Sequence, residues 1–201
     1  MGQERDVDDD MSSPTLRISI HIRCPENYCD DGWKQANSIS HPIRTMKEIC
    51  RCLESLPVKP KLKIDVYTED TFTMDREHRF RRRLESFLPV HQSTNTTATR
   101  CVHIHRQTPL LDTVRGMATA DIFVPASSYL SAMAAYFSNA LVVLADEDSR
   151  RTQYFAPHLQ DECPTRVVPV QDTPALAQAL TTLCQTKGVI LQGVGETKPR
   201  S

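Results

Sequence analysis

Six short apolar runs recur along the 201 residues, and segments of helical period or polar loops separate them. This alternation constrains the fold more than any other feature of the chain. LRISIHIR (16–23) alternates apolar and polar residues around β-branched isoleucines and reads as a strand. KLKIDVYTE (61–69), RCVHIHR (100–106), DIFVPA (121–126), ALVVLAD (140–146) and RVVPV (166–170) continue the series. Between them, Ile43, Met46, Ile49, Leu53 and Leu56 recur at helical spacing, and Pro57 ends that helix. Residues 75–88 form a strongly basic helix with Phe80, Leu84, Phe87 and Leu88 inward. Helices follow over 109–120, 129–137 and 173–186, the last with Thr173 as its cap and Pro174 at its first position.

Strand and helix in regular alternation predict an α/β, Rossmann-like open sheet, mostly parallel, of five to six strands. Helices lie on both faces, giving three α/β/α layers. The expected core includes Ile18, Ile20, Ile64, Val66, Val102, Ile104, Ile122, Val124, Val142 and Leu144. Residues 15–190 read as one such domain, preceded by a disordered acidic arm (1–14, MGQERDVDDDMSSP) and followed by a flexible tail (191–201). The segment GVILQGVG, where that tail begins, also has the composition of a last strand.

Charge excludes several functional classes. The formal net charge is −1, with 39% hydrophobic and 24% charged residues, so nothing calls for a nucleic-acid groove or an anionic membrane. The arginines at 76, 79, 81, 82 and 83 share one helix with Asp75, Glu77 and Glu85 and lack an aromatic platform, so they read as a solvated face. No apolar run reaches the roughly 20 residues of a membrane helix. The acidic start is unlike a signal peptide and points to a cytoplasmic location, with the Golgi lumen as the expectation for a fragment of a longer protein. Seven cysteines without a C-x-x-C pair read as reduced thiols. Cys50 and Cys52 diverge on a helix; Cys24 and Cys29 share a loop and can pair in an oxidising compartment.

In an open parallel sheet ligands sit beyond the carboxyl ends of the strands, where the strand order reverses. The residues that follow each strand are therefore the ones to inspect. His21 and Arg23 end the first strand on one face, and an arginine there can clamp a phosphate bidentately or pair with Glu26, Asp30 or Asp31. Ser127, Ser128 and Ser131 open a small-residue helix after an apolar strand. Such a turn is an anion site when the helix dipole and amides are free, and otherwise a helix cap. Ala132, Ala134 and Ala135 let that helix approach the sheet closely. His103 and His105 share a strand face without a third metal ligand at fixed spacing. There is no G-x-x-x-x-G-K-[ST], G-x-G-x-x-G, G-x-S-x-G or H-E-x-x-H.

Together, HIR at 21–23, VYTED at 66–70, VHIH at 102–105 and LLDTVRGMATADIFVPASSYLSAMAAYFSNALVV at 110–143 resemble the nucleotide-sugar-binding half of fucosyltransferase-like enzymes of the GT-B fold. That family carries H-[VI]-R-R-x-D, where this chain has Cys24-Pro25-Glu26 after the first arginine. The resemblance covers roughly residues 16–146 and implies a donor such as GDP-fucose, with no metal and no other cofactor. It assigns nucleotide-sugar binding to His21, Arg23, Thr68, Glu69, Asp112, Asp121, Ser127 and Ser128, and leaves the catalytic residue unassigned. Arg23 would hold the diphosphate, Ser127 and Ser128 its phosphates, and Asp112 and Asp121 the loop or the nucleoside side. The partners implied are the nucleotide sugar and a glycan or protein acceptor. A non-catalytic interaction or ligand-binding module on the same scaffold stands beside the transferase, since a fold does not fix a function. A cysteine- or serine-based hydrolase ranks below both, because no activated-nucleophile loop is visible.

Overall fold

The computed structural model describes residues 15–22, 39–68, 74–88, 102–126, 128–145 and 166–189. Six strands, β1 (Thr15–Ile22), β2 (Lys61–Thr68), β3 (Val102–Arg106), β4 (Ile122–Val124), β5 (Leu141–Leu144) and β6 (Val167–Pro169), form one sheet. Its order is β3-β2-β1-β4-β5-β6, and every pairing is parallel. The expected open Rossmann-like sheet is therefore present, with no antiparallel strand among the described residues. Among the described residues five helices alternate with the strands: α1 (Ser40–Glu54), α2 (Met74–Glu85), α3 (Leu110–Ala118), α4 (Tyr129–Tyr136) and α5 (Thr173–Thr186).

Strand periodicity sorts the sheet into two faces. Leu16, Ile18, Ile20 and Ile22 of β1 join Ile64, Val66, Val102, Ile122, Val124 and Val143 on one side. Met46 and Ile49 of α1, Phe80 and Leu84 of α2, and Leu176 and Leu180 of α5 cover it. The opposite face carries Tyr67, Phe123, Val142 and Leu144, covered by Met117 of α3 and Ala134 and Ala135 of α4. The layers are thus α/β/α, with α1, α2 and α5 on one side. Nine of the ten expected core residues are buried, and Ile104 is partly buried because β3 is an edge strand. Pro169 is tolerated in β6 for the same reason, since an edge strand can omit one ladder donor.

Close approach fixes α3. A Cβ built on Gly116 would lie 2.0 Å from the Tyr67 hydroxyl and 2.5 Å from Tyr67 Cζ. Glycine is therefore what lets α3 lie on the Tyr67 ring, while Ser19 donates its hydroxyl to the Gly116 carbonyl at 3.2 Å. At α5 the cap differs from the expected one. Asp172, not Thr173, accepts the Ala175 N–H at 3.0 Å, and Thr173 is already the first helical residue. Both residue types cap well, but it is the side-chain oxygen just outside the helix that reaches the amide of the third helical residue. Cys50, Cys52 and Cys184 are buried and in no disulfide, in line with the expectation that Cys50 and Cys52 do not bridge. On the basic helix Arg79, Arg82 and Arg83 are exposed, while Arg81 departs from the expected solvated face: it is half-buried and donates to the Val102 carbonyl at 2.9 Å; the Arg76 side chain lies outside the described ones. The Cys24–Cys29 loop and the last strand expected in 188–195 fall on residues outside those described, apart from Gly188 and Val189.

Candidate functional site

From β1 the chain turns to β2, and from β4 it turns to β5 on the other side. The gap between the carboxyl ends of β1 and β4 is therefore the switch point, where this class of sheet opens a crevice. What lies there is a buried polar knot. His21 Nδ1 is 2.5 Å from Ser131 Oγ and 3.4 Å from Ser128 Oγ. Ser131 Oγ also accepts the Ala126 N–H at 3.1 Å, and Ser128 Oγ accepts the Ser131 N–H at 3.1 Å. His21, Ser128 and Ser131 are 2%, 3% and 0% exposed.

Each link has a local cause. Pro125 follows β4 and ends its ladder, and the chain then turns tightly, Ser128 N–H bonding the Ala126 carbonyl at 2.9 Å. Ser128 is in extended conformation and caps α4 through its hydroxyl, the conformation a capping serine adopts. With Nδ1 as acceptor, the Ser131 hydroxyl donates to His21 while its oxygen takes the Ala126 amide. The result pins the amino end of α4 to the end of β1, with the positive end of the helix dipole at the carboxyl edge of the sheet. Leu110, Leu111 and Tyr129, at the starts of α3 and α4, are exposed beside it.

The sequence-predicted residues separate into three groups. His21 and Ser128 meet in this knot, and Thr68 ends the neighbouring strand opposite Ile22, buried at the same edge. Asp112 sits exposed in the first turn of α3, also at the carboxyl edge, where a carboxylate complements the helix dipole. Asp121 departs from the set. It precedes β4 at the amino edge of the sheet, where its carboxylate accepts the Arg17 N–H at 2.8 Å and pairs with Lys187 Nζ at 2.5 Å. Arg23, Glu69 and Ser127 lie outside the described residues.

A second polar cluster went unread in the sequence. On the Tyr67 face, His105 Nε2 binds Asp65 Oδ1 at 2.9 Å, and Arg17 approaches Asp65 Oδ2 at 3.9 Å. The Tyr67 and His105 rings stack at 4.6 Å with 9° between planes. Burial pushes the Tyr67 hydroxyl above its ordinary pKa, the Asp65 carboxylate adds to the rise, and Arg17 opposes it. The one available signal was the shared strand parity of Arg17, Asp65, Tyr67 and His105. Among the described residues no group of three or more His, Cys, Asp or Glu side chains is placed to hold a metal ion.

No family model and no curated protein sequence matches the chain. Solved structures do. An α,α-trehalose-phosphate synthase (UDP-forming) from Burkholderia xenovorans, in complex with glucose-6-phosphate, matches over 87% of this chain and 38% of its own, at 13% identity and a TM-score of 0.50. The α,α-trehalose 6-phosphate synthase of Burkholderia multivorans matches over 88% and 37%, at 11% identity and a TM-score of 0.50. The chain thus spans less than two fifths of the length of these enzymes. What it shares with them is the fold, a six-stranded parallel sheet with helices on both faces.

Proposed function

We propose that this chain is a glycosyltransferase-type domain that takes a nucleoside-diphosphate sugar at the carboxyl edge of the sheet, between the ends of β1 and β4. The observation that carries this reading is the pinning of α4: His21 and Ser131 hold the amino end of that helix at the switch point. A diphosphate placed there meets the helix dipole, and Arg23 follows directly on β1 as a bidentate partner. Ser127 and the first-turn amides of α4 complete the cradle. In this reading His21 and Ser128 position the cradle, because His21 Nδ1 and the Ser128 hydroxyl bond within the knot. Arginine and helix dipole offset the diphosphate charge as the sugar departs, so no metal is invoked.

The resemblance in the sequence favours a guanosine diphosphate sugar such as GDP-fucose. The structural neighbour named UDP-forming makes uridine diphosphate the competing base. The acceptor, a glycan or a protein, would meet the donor from a part outside the matched region, since the match spans 38% of that enzyme. A non-catalytic nucleotide-binding module is the second reading. Burial of His21, Ser128 and Ser131 to 3% exposure or less favours it, because it leaves no described hydroxyl or imidazole of the knot open to a reacting atom.

Calorimetric titration with GDP, UDP and inorganic diphosphate, paired with thermal unfolding, tests the site. GDP at about 100 times its dissociation constant should stabilise the fold by about 2.7 kcal/mol, and UDP should bind more weakly. No heat and no thermal shift with any of the three at millimolar concentration would remove the site and leave only the fold. Binding of GDP-fucose without release of GDP in the presence of acceptor glycans would select the non-catalytic module.

A further inference from the structure

A helix lying on a sheet usually turns apolar side chains inward and polar ones to water. α4 does the first and not the second. Ser131, Ala134 and Ala135 are buried on its inner side. Outward stand Tyr129, Met133, Tyr136 and, at the C-cap, Phe137, all between 40% and 78% exposed. Their spacing, i, i+4, i+7 and i+8, makes one continuous helical stripe. No residue from Tyr129 to Phe137 carries a charge. Leu110 and Leu111, which open the contacting helix α3, are exposed as well.

Both ends of the stripe are held. His21 and Ser131 pin the amino end of α4. Arg166, ahead of β6, donates to the Ser138 carbonyl just past Phe137, and Ser138 Oγ accepts the Ala140 N–H at 2.8 Å. The Tyr136 and Phe137 rings meet edge to face, with centroids 5.5 Å apart and 86° between planes. Rings already ordered in this way lose little freedom when a partner covers them. At about 200 Å² per aromatic side chain, the three exposed rings alone present on the order of 400 Å². Leu110, Leu111 and Met133 carry the patch beyond the roughly 300–600 Å² of an ordinary monomer's largest apolar patch. With its rim, such a patch reaches the about 800 Å² per partner of a stable interface.

Symmetry selects the occupant. Met133 stands midway between Tyr129 and Phe137, four residues from each. A two-fold axis through Met133 therefore lays Tyr129 of one chain on Phe137 of the other and brings the two methionines together. Every contact then occurs twice, as a closed two-fold interface requires. Ring against ring and thioether against ring are favourable pairs. A stripe without charge also meets its own copy without like-charge repulsion.

We propose that α4 is a self-association face. Two copies of this chain pack their α4 stripes antiparallel about a two-fold axis through Met133, with Leu110 and Leu111 at the rim. The contact uses the outward side of α4 and not its first-turn amides, so it stands apart from nucleotide binding.

Sedimentation velocity of the full chain from about 1 to 100 μM is the test, and it should show a monomer–dimer equilibrium in the micromolar range. Phe137→Glu should raise the dissociation constant at least about tenfold, with the circular dichroism spectrum unchanged. Val58→Glu alters an exposed apolar residue outside the stripe and should leave the dimer intact. Cross-linking is the second readout. In Met133→Cys, oxidised glutathione should join two chains at position 133, the two thiols giving one disulfide and the glutathione leaving reduced. Peptide mapping by mass spectrometry identifies the bridge, and Lys47→Cys on α1 should form none. Three results would each overturn the proposal. They are a chain that stays monomeric up to about 100 μM, whether water or another segment of the same chain covers the stripe, a dimer that Phe137→Glu leaves intact, and bridging no faster in Met133→Cys than in Lys47→Cys.

Discussion

His21 Nδ1, near the end of β1, touches Ser131 Oγ, in the first turn of α4, at 2.5 Å across 110 residues of sequence. This contact ties the central strand to the helix that begins at the switch point. Because Ser131 also takes the Ala126 amide, one hydroxyl sets the shape of the whole β4–α4 turn.

Ser131→Ala removes that hydroxyl and leaves the Ala126 N–H buried without an acceptor, with His21 Nδ1 losing its short partner. A buried unsatisfied group costs about 1–3 kcal/mol. Urea unfolding should show a loss of about 2–4 kcal/mol at unchanged m-value. Ser128→Ala, which removes a cap, should lose only about 1 kcal/mol. Equal losses would mean that the knot adds nothing beyond capping.

Gly116→Ala places a methyl within 2.0 Å of the Tyr67 hydroxyl and 2.5 Å of Cζ, so α3 must lift or the ring must turn. Overpacking of this kind destabilises by about 1–3 kcal/mol. Adding Tyr67→Phe should recover part of the loss and no more, because Cζ remains in the way. Calorimetric melting of the single and double variants checks this, and a Gly116→Ala protein as stable as the parent would show that α3 sits further from the sheet.

Burial pushes the Cys184 thiol from its ordinary 9.0 up to about 11, and burial likewise raises Cys52, with Glu48 adding and Arg51 opposing. The unfolded chain releases the Cys184 proton near 9 while the folded chain holds it to about 11. Folding stability from this group is therefore full below pH 9 and drains away between pH 9 and 11. Cys184→Ala should flatten the fall in stability over that window, whatever its offset at neutral pH. Iodoacetamide should label Cys184 slowly at pH 8 and at once after unfolding.

The fold was legible because parallel strands buried on both faces leave continuous apolar runs, as LVVL of β5 shows, and because α1 and α5 carry strong helical spacing. Ends were less legible. Asp172 and Thr173 are both capping residues, and only backbone geometry decides which one stands outside the helix. The site was half legible. Ser128-x-x-Ser131 can be read locally as a cap, yet nothing local announces that His21 will meet it. Asp112 and Asp121 look equivalent in the motif, but α3 spans the sheet between them and puts them at opposite edges. The Arg17–Asp65–His105 cluster depends on register across three strands, which no single strand pattern contains.

Asp121 holds the amino edge through the Arg17 N–H and Lys187. Asp121→Ala should cost about 1–2 kcal/mol, from one unmet backbone donor. Asp121→Asn should cost less than about 1 kcal/mol, since the amide oxygen still accepts and Lys187 is half exposed. Neither should change GDP affinity. A loss of GDP binding in Asp121→Asn at preserved stability would return Asp121 to the nucleotide site.

Arg23 is the sharpest test of the proposed donor site. If it grips the diphosphate as a planar fork, Arg23→Ala removes charge-assisted bonds worth about 1.5–3 kcal/mol and should weaken GDP about ten- to a hundredfold. Arg23→Lys should recover only part of this, because lysine keeps the charge and loses the bidentate geometry. Ser127→Ala should weaken GDP less than Arg23→Ala, since backbone amides remain. Ser128→Ala should act mainly on stability, its hydroxyl being spent on the Ser131 N–H. The contrast between Arg23→Ala and Ser128→Ala is therefore one of affinity against stability, read by calorimetric titration and urea unfolding of the same samples. Should Arg23→Ala leave GDP affinity intact while Ser128→Ala reduces it at unchanged stability, the phosphates lie on the α4 turn alone and Arg23 belongs to the loop acids Glu26, Asp30 and Asp31.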